Sequence, residues 1–144
     1  FGLLSVPLIV IYPLLKRFTY WPQLALGVVF NWGVLIVSMQ FNNYLSISFI
    51  ILYIGCIFWT LAYDTIYAYQ DREDDIKSNI KSTAVLFNKY GKNITLGFYA
   101  IFLIIVGFIG FQNTDSIASI FIIILFLFAI FAMSVGSTPI TLIL

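Results

Sequence analysis

Five of the six acidic residues of the chain lie in residues 63–75, YDTIYAYQDREDD. If this segment runs on as helix, at about 100° per residue, Asp64, Asp71 and Asp75 fall within roughly 40° of one another. Tyr67 joins them from about 60° away, and Glu73 points to the opposite side. Three carboxylates on one face repel each other unless a cation sits between them. Ligands that are all oxygen suit Mg²⁺ or Ca²⁺ better than zinc. Mg²⁺ in particular takes a few carboxylates and completes its shell with water and phosphate oxygens. The plain alternative is a solvated acidic loop. The confinement of the acidic residues to one place, their helical spacing and the interleaved Tyr63, Tyr67 and Tyr69 favour a ligand site.

Cations flank this segment. Lys77 and Lys81 follow it, and Lys16 and Arg17 end the first apolar run. A hard metal ringed by Lys and Arg is an arrangement for a diphosphate, whose oxygens the metal bridges while the cations take the remaining charge. Lys89 and Lys92 read as orientation anchors. The chain has no His and a single Cys, Cys56. Histidine acid–base chemistry, a thiolate metal site and an intrachain disulfide framework are therefore excluded.

The elements that must position these groups are apolar. Of 144 residues, 62% are hydrophobic and 9% charged, against about half and a quarter in soluble domains. That excess of apolar surface calls for lipid as solvent. The sequence predicts an all-α, polytopic transmembrane helix bundle in one membrane domain over residues 1–144. Its spans are residues 1–15 (a cut helix with no signal-peptide features), 23–39, 45–63, 94–111 and 117–135, with Tyr20 and Trp21 in an interfacial belt. All seven basic residues then fall on one membrane side, which the positive-inside rule makes the cytoplasmic side, or the matrix side in a mitochondrion. Asn31 is expected to bond across a helix interface, and Gly107 and Gly110 to allow close helix contact. Trp32 and Trp59 read as packing or lipid-facing residues.

Two stretches carry a resemblance. Residues 12–24, YPLLKRFTYWPQL, resemble the YPxxKR element of the 4-hydroxybenzoate polyprenyltransferases of the UbiA superfamily. Residues 64–86, DTIYAYQDREDDIKSNIKSTAVL, resemble their second aspartate-rich motif, of DxxYAxxDxxxD type, followed by KSTA. The resemblance implies a nine-helix membrane fold around a central cavity, of which this chain would supply about five helices. It implies transfer of a polyprenyl chain from polyprenyl diphosphate to the ring of 4-hydroxybenzoate, with Mg²⁺ as cofactor, in a bacterial cytoplasmic or mitochondrial inner membrane.

Carried over by the resemblance, Asp71 and Asp75, with Asp64, are the metal-binding and catalytic carboxylates. Tyr12, Lys16, Arg17, Tyr67 and Lys81 would contact substrate, and Ser82 would contact it or cap the next helix. The family's first motif, NDxxDxxxD, does not occur in residues 1–144, and the resemblance puts it before Phe1, with a further helix after the fifth span.

Other readings compete. Another superfamily member would use homogentisate, a naphthoate or haem as acceptor, and an inactive remnant would use none. A transporter would place acidic residues near mid-membrane, and here none lies at a span centre. Nothing in the sequence points to nucleic acid.

Overall fold

The structure is a computed structural model that describes residues 2–113. The fifth expected span lies outside the described residues. Every regular element among those described is helical, as a bilayer requires of a chain that cannot leave backbone groups unpaired in lipid.

After a 3₁₀ turn at Gly2–Ser5, helix α1 spans Val6–Phe18 and carries Lys16 and Arg17 in its last turn. Cations there complement the helix C-terminus. Helices α2 (Pro22–Phe30) and α3 (Trp32–Asn42) together form one membrane-length segment. Pro22 starts α2, where a missing N–H costs nothing. The sequence predicted an unbroken span here, but the segment breaks at Asn31. The break falls where a polar side chain reaches the neighbouring helix. The Asn31 amide Nδ2 donates to the Gly27 carbonyl at 2.8 Å, and across the interface to the Cys56 carbonyl at 3.2 Å and Thr60 Oγ1 at 2.8 Å. The expected cross-helix bond is thus present.

Helix α4, Ile47–Ala68, is the central element and packs against both α2 and α7 (Gly91–Asn113). Between α4 and α7 lie two short helices, α5 (Arg72–Lys77) and α6 (Thr83–Phe87). Close approach falls at Gly27, where a Cβ would lie 3.2 Å from Ile57, and at Gly55, where it would lie 2.9 Å from Ile105. These contacts let the helices meet over backbone, the main source of association where lipid is as apolar as the side chains. The close contacts expected at Gly107 and Gly110 are not made with the other described helices, and the fifth span that follows them lies outside the described residues.

The helices α4 and α7 run antiparallel. Gly55 meets Ile105, Trp59 meets Phe102 at 6.3 Å, and Tyr69 meets Gly91. One end of the bundle therefore collects the C-termini of α1 and α4, the N-termini of α2 and α7, and the α5–α6 connection. All the basic residues of the chain lie in these segments.

Candidate diphosphate and metal site

The acidic segment does not continue α4. The helix ends at Ala68, and the Tyr69 and Gln70 N–H groups turn back to Ile66 and Tyr67 in the tightened pattern of a helix end. A new helix starts at Arg72, with Asp71 at its N-cap and Glu73, Asp74 and Asp75 in its first turn. The break has an electrostatic reason. Carried on α4, four more carboxylates would extend a helix C-terminus, which disfavours negative charge. In the first turn of α5 they meet the partial positive charge of a helix N-terminus. Helix α5 then stops at Asn79, whose φ of 54° is left-handed. The Ile80 N–H bonds to the Asp75 carbonyl at 2.8 Å and the Asn79 N–H to the Ile76 carbonyl, a Schellman ending.

This break corrects the single-face expectation. Asp71 and Asp75 stay one turn apart, with the Asp75 N–H donating to the Asp71 carbonyl at 2.9 Å. The Asp71 carboxylate is exposed and caps no backbone N–H, and Asp75 is half-buried. Asp64, still on α4, parts from them. It faces α1, where Lys16 attracts its charge and Tyr12, one turn before Lys16, feels it too. Among the described residues no three acidic side chains gather as a metal cage. Two carboxylates with open positions nonetheless suit an ion such as Mg²⁺, which keeps water and phosphate in its shell.

The other predicted residues sort themselves around this pair. Tyr67 lies in the last turn of α4, exposed, its ring 4.7 Å from Tyr63. Arg17 is exposed at the end of α1. Lys77 forms an exposed ion pair with Asp74 at 3.4 Å.

Lys81 is engaged with the protein. Its N–H donates to the Lys16 carbonyl at 3.0 Å, and its ammonium lies 3.3 Å from the Phe18 carbonyl and 5.4 Å above the Tyr20 ring. It thereby satisfies carbonyls that α1 leaves open at its end. Ser82 caps α6, accepting from the Val85 N–H at 3.3 Å.

Three residues that sequence reasoning passed over tie this end together. The Thr65 and Thr83 hydroxyls share a hydrogen bond of 2.7 Å, and Gln23 Oε1 accepts from the Thr83 N–H at 3.1 Å. All three residues are buried. The loop before α6 is thus clasped to α1, α2 and α4. The only available signal was the presence of polar residues beside span ends, which does not say who pairs with whom.

A second clasp holds the other side. The Tyr69 hydroxyl donates to the Asn88 carbonyl at 2.6 Å, and the Arg72 guanidinium to Asn88 Oδ1 at 2.6 Å. Burial pushes the Tyr69 phenol above its ordinary pKa, against the opposing pull of Arg72. The phenol therefore stays protonated, as a donor must.

Below the acidic mouth runs an aromatic ladder on α4. Trp59 stacks on Tyr63 with centroids 5.8 Å apart, and Tyr63 meets Tyr67. Tyr99 of α7 lies at the level of Tyr63, between the Trp59–Phe102 and Tyr69–Gly91 contacts of the two helices. Tyr99 is 5% exposed, and its hydroxyl has no hydrogen-bond partner among the described residues.

A bundle of membrane-length helices that gathers carboxylates, cations and aromatic rings at one end defines an integral membrane protein with a polar site at the mouth of its spans. The UbiA prenyltransferase family model matches residues 1–139, and the chain belongs to that family. It is 46% identical over 113 residues to the mitochondrial 4-hydroxybenzoate polyprenyltransferase of Bos taurus, covering 78% of this chain and 30% of that protein. It is 42% identical over 125 residues to the protein of the same name in Arabidopsis thaliana, covering 82% and 31%. It is 51% identical over 88 residues to 4-hydroxybenzoate geranyltransferase 2 of Lithospermum erythrorhizon, covering 60% and 28%. The chain spans about 30% of the length of the curated relatives it matches. No solved structure matches it.

Proposed function

We propose that this chain forms the second aspartate half of the active site of a 4-hydroxybenzoate polyprenyltransferase. The observation that carries the reading is the Asp71–Asp75 pair, one turn apart and uncapped, at the bundle end that also collects Lys16 and Arg17. Relatives named as 4-hydroxybenzoate prenyl and geranyl transferases support the choice of acceptor.

In this reading Asp71 and Asp75 would hold Mg²⁺ for the diphosphate of a polyprenyl donor. When bound, the ion supplies charge neutralisation that makes diphosphate a better leaving group. Lys16 and Arg17 take up the remaining phosphate charge. The Tyr12 hydroxyl donates to a phosphate oxygen. The allylic C–O bond breaks with its electron pair leaving on diphosphate. A ring carbon ortho to the acceptor hydroxyl forms the new C–C bond, and that carbon's hydrogen departs as a proton. The apolar walls of α4 and α7 keep water from the cation. The mouth of the site faces the cytoplasm or the mitochondrial matrix, by the distribution of Lys and Arg.

The test uses the protein expressed from its complete reading frame in membranes lacking their own hydroxybenzoate prenyltransferase. Asp71→Ala and Asp75→Ala should each cut prenylated product at least about 100-fold, as removal of a charge-stabilising group at a reacting centre does. Chelation should abolish wild-type activity, and added Mg²⁺ should restore it. Near-normal turnover by either variant would sink the assignment.

A further inference from the structure

The buried hydroxyl of Tyr99 has no work to do in the fold. Its residue is 5% exposed, and its oxygen finds no hydrogen-bond partner among the described residues. A protein normally pairs such a group, because leaving it unpaired wastes its desolvation. Phenylalanine would fill the same space without that loss. A buried polar atom left unpaired inside a site end is a group held for a ligand.

Its position says which ligand. Tyr99 stands on α7 between the levels at which Trp59 meets Phe102 and Tyr69 meets Gly91, hence at the level of Tyr63, the residue before Asp64, at the inner edge of the acidic mouth. The aromatic ladder of Trp59, Tyr63 and Tyr67 runs past the same level. Resting on the function proposed above, the donor's diphosphate occupies the mouth, and its reacting carbon is bonded directly to that diphosphate. The acceptor ring must come within about 3–3.5 Å of this carbon. It therefore lies on the apolar side of the diphosphate, at the depth of Tyr63 and Tyr99.

We infer that the Tyr99 hydroxyl donates a hydrogen bond to an oxygen of the aromatic acceptor and so helps to set acceptor specificity. The Tyr63 and Trp59 rings form the flat wall beside it. A site built to hydrogen-bond a substrate oxygen discriminates against analogues lacking it far more strongly than an apolar pocket does. The residue acts in acceptor binding and has no part in ionising the donor.

The experiment is Tyr99→Phe in the protein expressed from its complete reading frame. Product formation is measured against 4-hydroxybenzoate and polyprenyl diphosphate separately, and thermal stability is followed in detergent. KM for 4-hydroxybenzoate should rise about tenfold, which corresponds to about 1.4 kcal/mol. KM for the diphosphate donor should stay within about twofold, and the melting temperature should hold or rise because a buried unpaired hydroxyl has been removed. Direct binding of 4-hydroxybenzoate in the absence of donor should weaken by the same factor.

An unchanged acceptor KM with raised stability would make the hydroxyl an idle packing defect and overturn the inference. Equal changes in both KM values would do so too. Either result leaves the prenyltransferase reading standing, because that reading fails only if the wild type makes no product or the aspartate variants remain active.

Discussion

The residues that hold the site mouth together are mostly not the residues that would carry its chemistry. Thr65, Thr83 and Gln23 are small or neutral and buried, and they fix the loop before α6. Thr83→Val keeps the volume and the N–H bond to Gln23, but it leaves the Thr65 hydroxyl unpaired. It should cost about 1–3 kcal/mol, seen as a lower melting temperature in detergent. Thr65→Val combined with Thr83→Val should recover part of that loss, because the orphaned partner is gone too. Two single losses that simply add would show that the bond is not the source. Lys81 illustrates the same division. The sequence offers it as a phosphate ligand, while its ammonium sits by the Phe18 carbonyl and the Tyr20 ring, where it closes α1.

Between helices, the decisive contact is Tyr69 over Gly91. A Cβ at Gly91 would overlap the Tyr69 hydroxyl, which is committed to the Asn88 carbonyl. Gly91→Ala should therefore destabilise the α4–α7 junction by about 1–3 kcal/mol, through lost bonding and overpacking. In a Tyr69→Leu background the same change should cost little, and a double-mutant cycle reads the coupling directly.

Element existence was legible before the structure because a span is written as local apolar length. Three described spans have membrane length where hydropathy puts them, while the first expected one is a 3₁₀ turn and the 13-residue α1. Their ends and interruptions were less legible because distant or electrostatic partners set them. Asn31 breaks its span through Cys56 and Thr60, 25 and 29 residues away. The end of α4 at Ala68 follows from where a helix N-terminus can best receive Asp71 to Asp75. The Asp71–Asp75 pair was readable because its spacing is one turn within a single element. The company that Asp64 keeps on α1 was not, since it depends on how two helices cross. Tyr99 was invisible for a third reason: a tyrosine in an apolar run looks like packing until its hydroxyl is found unpaired.

At the scale of the whole molecule, the bundle is polar at one end and lipid-compatible elsewhere. Large apolar side chains such as Phe30, Ile104 and Phe111 are more than two-thirds exposed on its flanks, which suits lipid or neighbouring helices. The short turn between α3 and α4 lies at the opposite end. There the Ser38 hydroxyl donates to the Tyr44 carbonyl and accepts from the Ser46 N–H. With Cys56 replaced by Ala, a single cysteine introduced as Lys77→Cys should react with a membrane-impermeant maleimide only from the cytoplasmic or matrix side. Tyr44→Cys should react only from the other side. Labelling of both from one side would contradict the arrangement of the spans.

Among the described residues the one ion pair is the exposed Lys77–Asp74 contact, and both clasps of the mouth end in neutral acceptors. The scaffold and the diphosphate proposed for the mouth would therefore answer to different solution conditions. Mobile ions screen exposed charges over about 8 Å at physiological strength, and so weaken the hold of the rim on a polyanion. They find little to screen in the bonds that keep the rim in shape. A rise in ionic strength should empty such a mouth well before it loosens it.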